Sequence, residues 1–195
     1  MPRLEDRDER PNRPRIFGIG LNKTATTSLD RALSDLGFRS LHDGGDPVHK
    51  AVMRAVAEEV PLLSYLDQRF DAFSDIGMLA RRFRMLDRQY PGSRFLLTVR
   101  PIDAWLDSRR RHVERNIELQ AAGKYDGTFV TVDIPKWTRE WHDQTERVHA
   151  YFAGRADFLE IDFTSDPSWG RLCAFLDVDE PATPFPWVNR DAKAR

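Results

Sequence analysis

With 195 residues the chain has room for one domain and one sizeable core, with a radius of gyration of about 16 Å. Hydrophobic residues make up 41% and charged residues 31%, which is a globular composition and not a disordered one. Thirty basic against thirty-one acidic side chains give a formal charge of -1, which argues against a nucleic-acid or anionic-membrane binder and leaves room only for a local basic pocket. No apolar stretch approaches the roughly 20 residues that span a bilayer, and MPRLEDRDERPNRPR lacks the apolar segment of a secretory signal. The single cysteine, Cys173, excludes an intrachain disulfide and any multi-cysteine metal site. These features lead us to expect a cytoplasmic enzyme.

Residues 1–14 are charged and hold three prolines, so a flexible leader is expected there, with one α/β domain over 15–195. Ile16-Phe17-Gly18-Ile19 has the apolar run of a buried strand. From Thr26 the period changes: Leu29, Ala32, Leu33 and Leu36 share a helical face, and Gly37 is a good stop. A second strand is expected at 38–41, followed by an amphipathic helix through Val48, Ala51, Val52, Ala55 and Val56. Residues 71–74 are a short strand candidate, and Leu79, Phe83, Leu86 and Tyr90 continue at helical spacing until Pro91-Gly92. Phe95-Leu96-Leu97-Thr98-Val99 reads as a central strand of a parallel sheet. A long helix follows through Trp105 and Val113, with Pro101 in its first turn. Residues 123–134 read as loop, Trp137 to Phe152 as helix, 158–161 as strand and 169–176 as a last helix. Prolines at 181, 184 and 186 imply an irregular tail. Strand and helix alternate throughout. The expected fold is therefore a doubly wound parallel sheet flanked by helices.

The strongest local signal is GLNKTATTSL, residues 20–29, between the first strand and the first helix. Such a junction aims backbone N–H groups and the positive end of a helix dipole at one point. Lys23 adds a full charge, and Thr24, Thr26, Thr27 and Ser28 offer hydroxyls to phosphate oxygens; a plain helix cap is the bland alternative. Walker A loops place a second glycine before the lysine, whereas here Asn22 precedes Lys23. The pattern resembles the 5′-phosphosulfate loop of the sulfotransferase family, whose usual form reads Lys-[Thr/Ser]-Gly-Thr-[Thr/Ser]. Ala25 stands where that form has glycine. If the position needs positive φ, alanine costs roughly 1 kcal/mol or more.

A second segment is similar to the same family. FLLTVRPIDAWLDS joins a strand-end arginine, Arg100, to Ser108 eight residues later, as the family's 3′-phosphate motif does. Arginine at the carboxyl end of a parallel strand supplies a fork of donors where open α/β sheets bind ligands. The resemblance spans most of residues 15–190 and is closest to a small bacterial sulfotransferase-like branch with a P-loop fold. It implies sulfuryl transfer from 3′-phosphoadenosine 5′-phosphosulfate to a hydroxyl or amine of a small molecule, with no metal required. Residues 23–28 would then hold the 5′-phosphate, Arg100 and Ser108 the 3′-phosphate, and Lys23 would also serve the chemistry. Asp75 occupies the family's place for a catalytic base, with helix N-cap as its other reading. His42 is an alternative base or a solvated loop histidine. Asn189 and Arg190 are expected to close over the 3′-phosphate.

Other groups read more plainly. Arg109, Arg110, Arg111 and His112 form a basic run that reads first as a solvated face and second as help in binding an anion. Trp105, Trp137, Trp141 and Cys173 read as core. Asp162 and Asp166 around Thr164-Ser165 read as a loop leading to a helix cap. The rival functions are a small-molecule kinase using ATP and Mg²⁺, and a non-catalytic nucleotide-binding protein. No code for the acceptor or for oligomeric state is legible.

Overall fold

A computed structural model of the protein describes residues 13–188. Five short strands form one sheet: β1 (Ile16–Gly18), β2 (Ser40–His42), β3 (Ala72–Ser74), β4 (Arg94–Thr98) and β5 (Phe158–Ile161). Their order is β2-β3-β1-β4-β5 and every pairing is parallel. The order reverses beside β1. Parallel pairing demands crossovers, and the helices supply them: α1 (Thr26–Asp35), α2 (Gly45–Ala57), α3 (Gly77–Ala80), α4 (Phe83–Gln89), α5 (Ile102–Ala121), α6 (Ile134–Phe152) and α7 (Gly170–Leu176).

The strands bury both faces, as a parallel sheet must. Their two-residue period sorts the core into two clusters. Phe17, Phe73, Phe95 and Leu97 face one, closed by Phe83, Val148 and Phe152 from the helices. Ile16, Ala72 and Leu96 face the other, closed by Leu29, Leu33, Phe163 and Leu172. Phe17 stacks on Phe73 at 5.4 Å and on Phe95 at 5.5 Å between ring centroids, which ties the three central strands side to side. Trp105 and Trp137 pack in a third, smaller cluster between α5 and α6, and Cys173 is buried with the second.

All five expected strands and the alternating order are present. Three differences go beyond a one-residue shift of strand ends or bear on the site. Pro101 takes an extended ψ of 133° and sits at the N-cap of α5, so the helix opens one residue after it. The segment expected as one helix through Leu79 and Tyr90 is two, because Arg82 leaves helical geometry at φ −105° and ψ 23°. The second strand is shifted to Ser40–His42, which carries His42 to its carboxyl end. Residues 123–133 are irregular, and Asp133 caps α6 by accepting the Lys136 N–H at 2.9 Å. The Asp162 carboxylate accepts from the Thr164 amide and from the hydroxyls of Thr164 and Ser165, which makes that segment a turn. Past α7 the tail is irregular, and Phe185 and Trp187 pack on the second cluster. The expected leader lies almost wholly outside the described residues, as do Asn189 and Arg190. Among the described residues, no helix is long and apolar enough to cross a membrane.

Candidate functional site

The loop after β1 is held open by its neighbours. Four of its carbonyls are pulled away from the loop: Gln144 Nε2 donates to Ile19, the Thr24 hydroxyl to Leu21, the Trp105 indole to Asn22 and Arg100 Nη1 to Lys23, at 3.1, 2.5, 2.7 and 3.4 Å. Lys23 and Ala25 both take left-handed φ, 68° and 66°, on either side of Thr24. Alternation of this kind turns successive N–H groups toward one side and makes an anion-binding concavity. The first intrahelical bond of α1 runs from Leu29 N–H to the Ala25 carbonyl, so the amides of Thr26, Thr27 and Ser28 have no helical acceptor. Gly20 is required by proximity: a methyl there would overlap the Thr98 hydroxyl and carbonyl on β4.

The hydroxyls of this loop have partners within the protein. Thr24 is buried and its oxygen lies 2.7 Å from that of Thr98. Thr26 is also buried and gives its hydrogen bond to Asp75. Ser28 accepts the Val188 amide at 3.1 Å, pinning the tail over the start of α1, and Thr27 lies 3.5 Å from His42 Nε2. The side chains brace the loop. Besides Lys23, what the loop leaves without a partner is backbone N–H.

Asp75 follows β3 and has a left-handed φ of 56°. It is not a cap, since α3 opens at Gly77 with Ile76 as N-cap. His42 is no solvated loop residue: its Nε2 lies 3.7 Å from Asp75 Oδ2, and its Nδ1 bonds the Ser74 hydroxyl at 2.9 Å. Burial pushes the Asp75 carboxyl above the usual aspartate range and Asp43 adds to the effect, while His42, Lys23 and the Thr26 hydroxyl oppose it. Burial likewise pulls Lys23 below the usual lysine value, helped by Arg115 and Arg109 and opposed by Asp75. Arg100 is half-buried beside the Lys23 carbonyl, and its Nε has no partner among the described residues. Ser108 lies half-buried on α5.

Lys23 and Asp75 line one cavity of about 280 Å³ at the carboxyl ends of the strands, with Gly20, Leu21, Asn22, Asp43, Arg81, Arg109 and His112. The last two belong to the basic run, and the structure divides that run. Arg110 and Arg111 are exposed and pair with Asp107 and Glu114. Arg109 is 8% exposed, 3.3 Å from Glu140 Oε2 and from Asn22 Oδ1. His112 is held down to about 4, first by burial and then by Lys23, Arg115 and Arg109, so its ring is neutral at pH 7. The signal was legible. Trp105, Arg109, His112, Val113 and Asn116 follow the i, i+4, i+7, i+8, i+11 spacing of one helical face.

A larger groove of about 650 Å³ lies at the opposite end of the sheet, bounded by residues that precede the strands, such as Arg15, Asp71 and Ser93. Open α/β sheets bind their ligands at the other end. The smaller cavity also has the left-handed backbone and the unpartnered Nε of Arg109 and Nδ1 of His112. It is the better site.

The fold is similar to that in the crystal structure of a sulfotransferase from Alicyclobacillus acidocaldarius, with a TM-score of 0.57 and 20% identity over 94% of this chain and 90% of that one. None of the curated proteins matches. The family model described as "Sulfotransferase domain" matches residues 15–155 and 120–194, and by that match the chain belongs to the sulfotransferase family.

Proposed function

We propose that the protein transfers a sulfuryl group from 3′-phosphoadenosine 5′-phosphosulfate to a hydroxyl or amine of a small molecule. The observation that carries this reading is the placement of Lys23 and Asp75 on one cavity, with the uncommitted amides of α1 beside it. The donor supplies an activated sulfuryl group on a 5′-phosphate. The backbone N–H groups of residues 24–28 hold that phosphate, while the Thr24 and Thr26 hydroxyls bond within the protein. Arg100 and Ser108 hold the 3′-phosphate; the unpartnered Arg100 Nε fits a group that needs a donor fork.

Lys23, partly buried on the cavity wall, places positive charge against the oxygen that separates from sulfur. The acceptor loses its O–H or N–H proton to Asp75 as its oxygen or nitrogen bonds to sulfur. The raised basicity of Asp75 suits it to that task near neutral pH. His42 positions the carboxylate through its contact with Asp75 and its bond to Ser74.

Calorimetry without magnesium tests the donor reading. The chain should prefer adenosine 3′,5′-bisphosphate to adenosine 5′-monophosphate, and Arg100→Ala should cost about 1.5–3 kcal/mol of that preference. Equal affinity for the two nucleotides in the unaltered protein would refute the 3′-phosphate assignment. A strict magnesium requirement would favour a kinase.

A further inference from the structure

The cavity that holds Lys23 and Asp75 is charged unevenly, and the donor reading leaves one end of it unused. Asp43 and Asp75 line one part; Arg81, Arg109 and His112 line another. At the basic end a single carboxylate, Glu140, serves two guanidiniums, Arg109 at 3.3 Å and Arg81 at 3.6 Å. One positive charge is left over there. Burying an arginine is unfavourable unless its donors are used, yet Arg109 is 8% exposed and its Nε has no partner among the described residues. Its guanidinium is fixed over the rings of Trp137 and Trp105, 4.7 and 4.8 Å from their centroids, so it is preorganised and not merely tolerated. His112 Nδ1 is a second buried polar atom without a partner on the same wall. Native proteins leave few such atoms, and two of them on one wall of a cavity single that wall out.

We infer that the acceptor is a small molecule with an oxyanion (a carboxylate, sulfate or phosphate) besides its hydroxyl or amine, the oxyanion lying against Arg81, Arg109 and His112 and the nucleophile against Asp75. This deepens the sulfuryl-transfer reading and rests on it. A cavity of about 280 Å³ has the room of about nine waters, which suits a compact acceptor. The two-ended polarity also sets orientation: the anion anchored at the arginines holds the far hydroxyl at the carboxylate and away from Lys23.

The test uses matched pairs of probes, such as 4-hydroxybenzoate and its methyl ester, or 3-hydroxybutyrate and its amide. Their binding to the full chain saturated with adenosine 3′,5′-bisphosphate is followed by calorimetry and by the His112 ring resonances. We expect the charged member of at least one pair to bind ten-fold or more tightly than its neutral twin and to move those resonances. Arg81→Gln, at an exposed side chain whose loss the fold tolerates, should remove most of that preference, as should Arg109→Lys. A panel in which no charged member outbinds its twin overturns the inference. So does a preference abolished by Lys23→Ala and untouched by Arg81→Gln, which would put the anion in the sulfuryl subsite. Should the chain fail to bind the bisphosphate at all, the donor reading fails instead, and the same pairs measured without nucleotide still decide whether the basic end holds an oxyanion.

Discussion

Two stretches of polar sequence border the same cavity, and they exchange the roles their compositions suggest. Residues 20–28 look like a set of side chains gathered for a ligand, yet Thr24 bonds Leu21 and Thr98, Thr26 bonds Asp75 and Ser28 takes the Val188 amide. Residues 109–112 look like a solvated charge run, yet Arg109 and His112 turn inward to the cavity while Arg110 and Arg111 pair on the surface. The difference is one of backbone. A loop must satisfy its own carbonyls and uses whatever hydroxyls it has; a helix has satisfied its backbone and leaves its side chains to the face they lie on. Density of polar residues therefore locates a site poorly. Which groups are left over after the fold has bonded itself locates it better.

The largest effects should come from the two groups of this region to which we assign a chemical role. Lys23→Ala removes a preorganised charge, and turnover should fall by about 10²–10³, or roughly 3–4 kcal/mol, with a smaller loss of bisphosphate affinity. Asp75→Asn should also abolish most turnover and should erase the acid limb of the rate profile. That limb lies above the usual aspartate range, because burial raises the carboxyl and the base works only once its proton is lost. The sign for stability is opposite. Folding raises this pKa, so the native state binds more protons than the unfolded one between the two values, and stability falls as pH rises through them. Asp75→Asn removes that penalty and should hold or raise the melting temperature at pH 7. Unchanged turnover in both variants with a working acceptor would return the pair to a structural role.

Next in size is the contrast within the basic run itself. Arg109→Met deletes one partner of a largely buried ion pair and leaves Glu140 with only the longer contact to Arg81; the cost should be about 3 kcal/mol in urea unfolding. Arg110→Ala breaks exposed pairs with Asp107 and Glu114 and should leave the urea midpoint almost unmoved. The double change Arg109→Met with Glu140→Gln should recover part of the loss. Equal costs for Arg109 and Arg110 would show that burial does not separate the two faces of α5.

Much of this fold was legible because periodicity reports burial directly. The two-residue alternation through Phe95 and Leu97 against Leu96 marks a strand with both faces covered, and alternating strands and helices leave few topologies. The places of the lysine loop and of Arg100 were legible because each directly follows an apolar run that forms a strand. The contact of His42 with Asp75 was not, since it joins the ends of β2 and β3 and no local spacing encodes which strands become neighbours. The inward turn of Arg109 and His112 was written in the helical period, but their charge drew the reading toward solvent. The bonds that consume the loop hydroxyls depend on Thr98 and Val188, both distant in sequence.

A small predicted effect is the sharpest test of how the loop differs from the helix. Ala25 has φ 66° and ψ 30°, a left-handed conformation in which the Cβ crowds the following carbonyl at about 1–2 kcal/mol for an L-residue. Glycine adopts it freely but loses more backbone entropy on folding, which returns roughly 0.4–1 kcal/mol to the unfolded chain. The strain term is the larger, so Ala25→Gly should stabilise the protein by about 0.5–1 kcal/mol, read as a higher urea midpoint with an unchanged slope. Ala25 contributes the first acceptor of α1 through its carbonyl, which glycine keeps, and its side chain packs only partly against the second cluster. Bisphosphate affinity should accordingly hold or improve, because the 5′-phosphate site we propose uses the N–H groups of this turn, which glycine keeps. The same substitution at an ordinary helical position, such as Ala32 on α1 (buried in the second cluster), should destabilise, since there glycine relieves no strain and loses a packed methyl. A lower midpoint for Ala25→Gly would mean that the methyl contact outweighs the strain, and that the left-handed turn is held by packing instead of being imposed against alanine's preference.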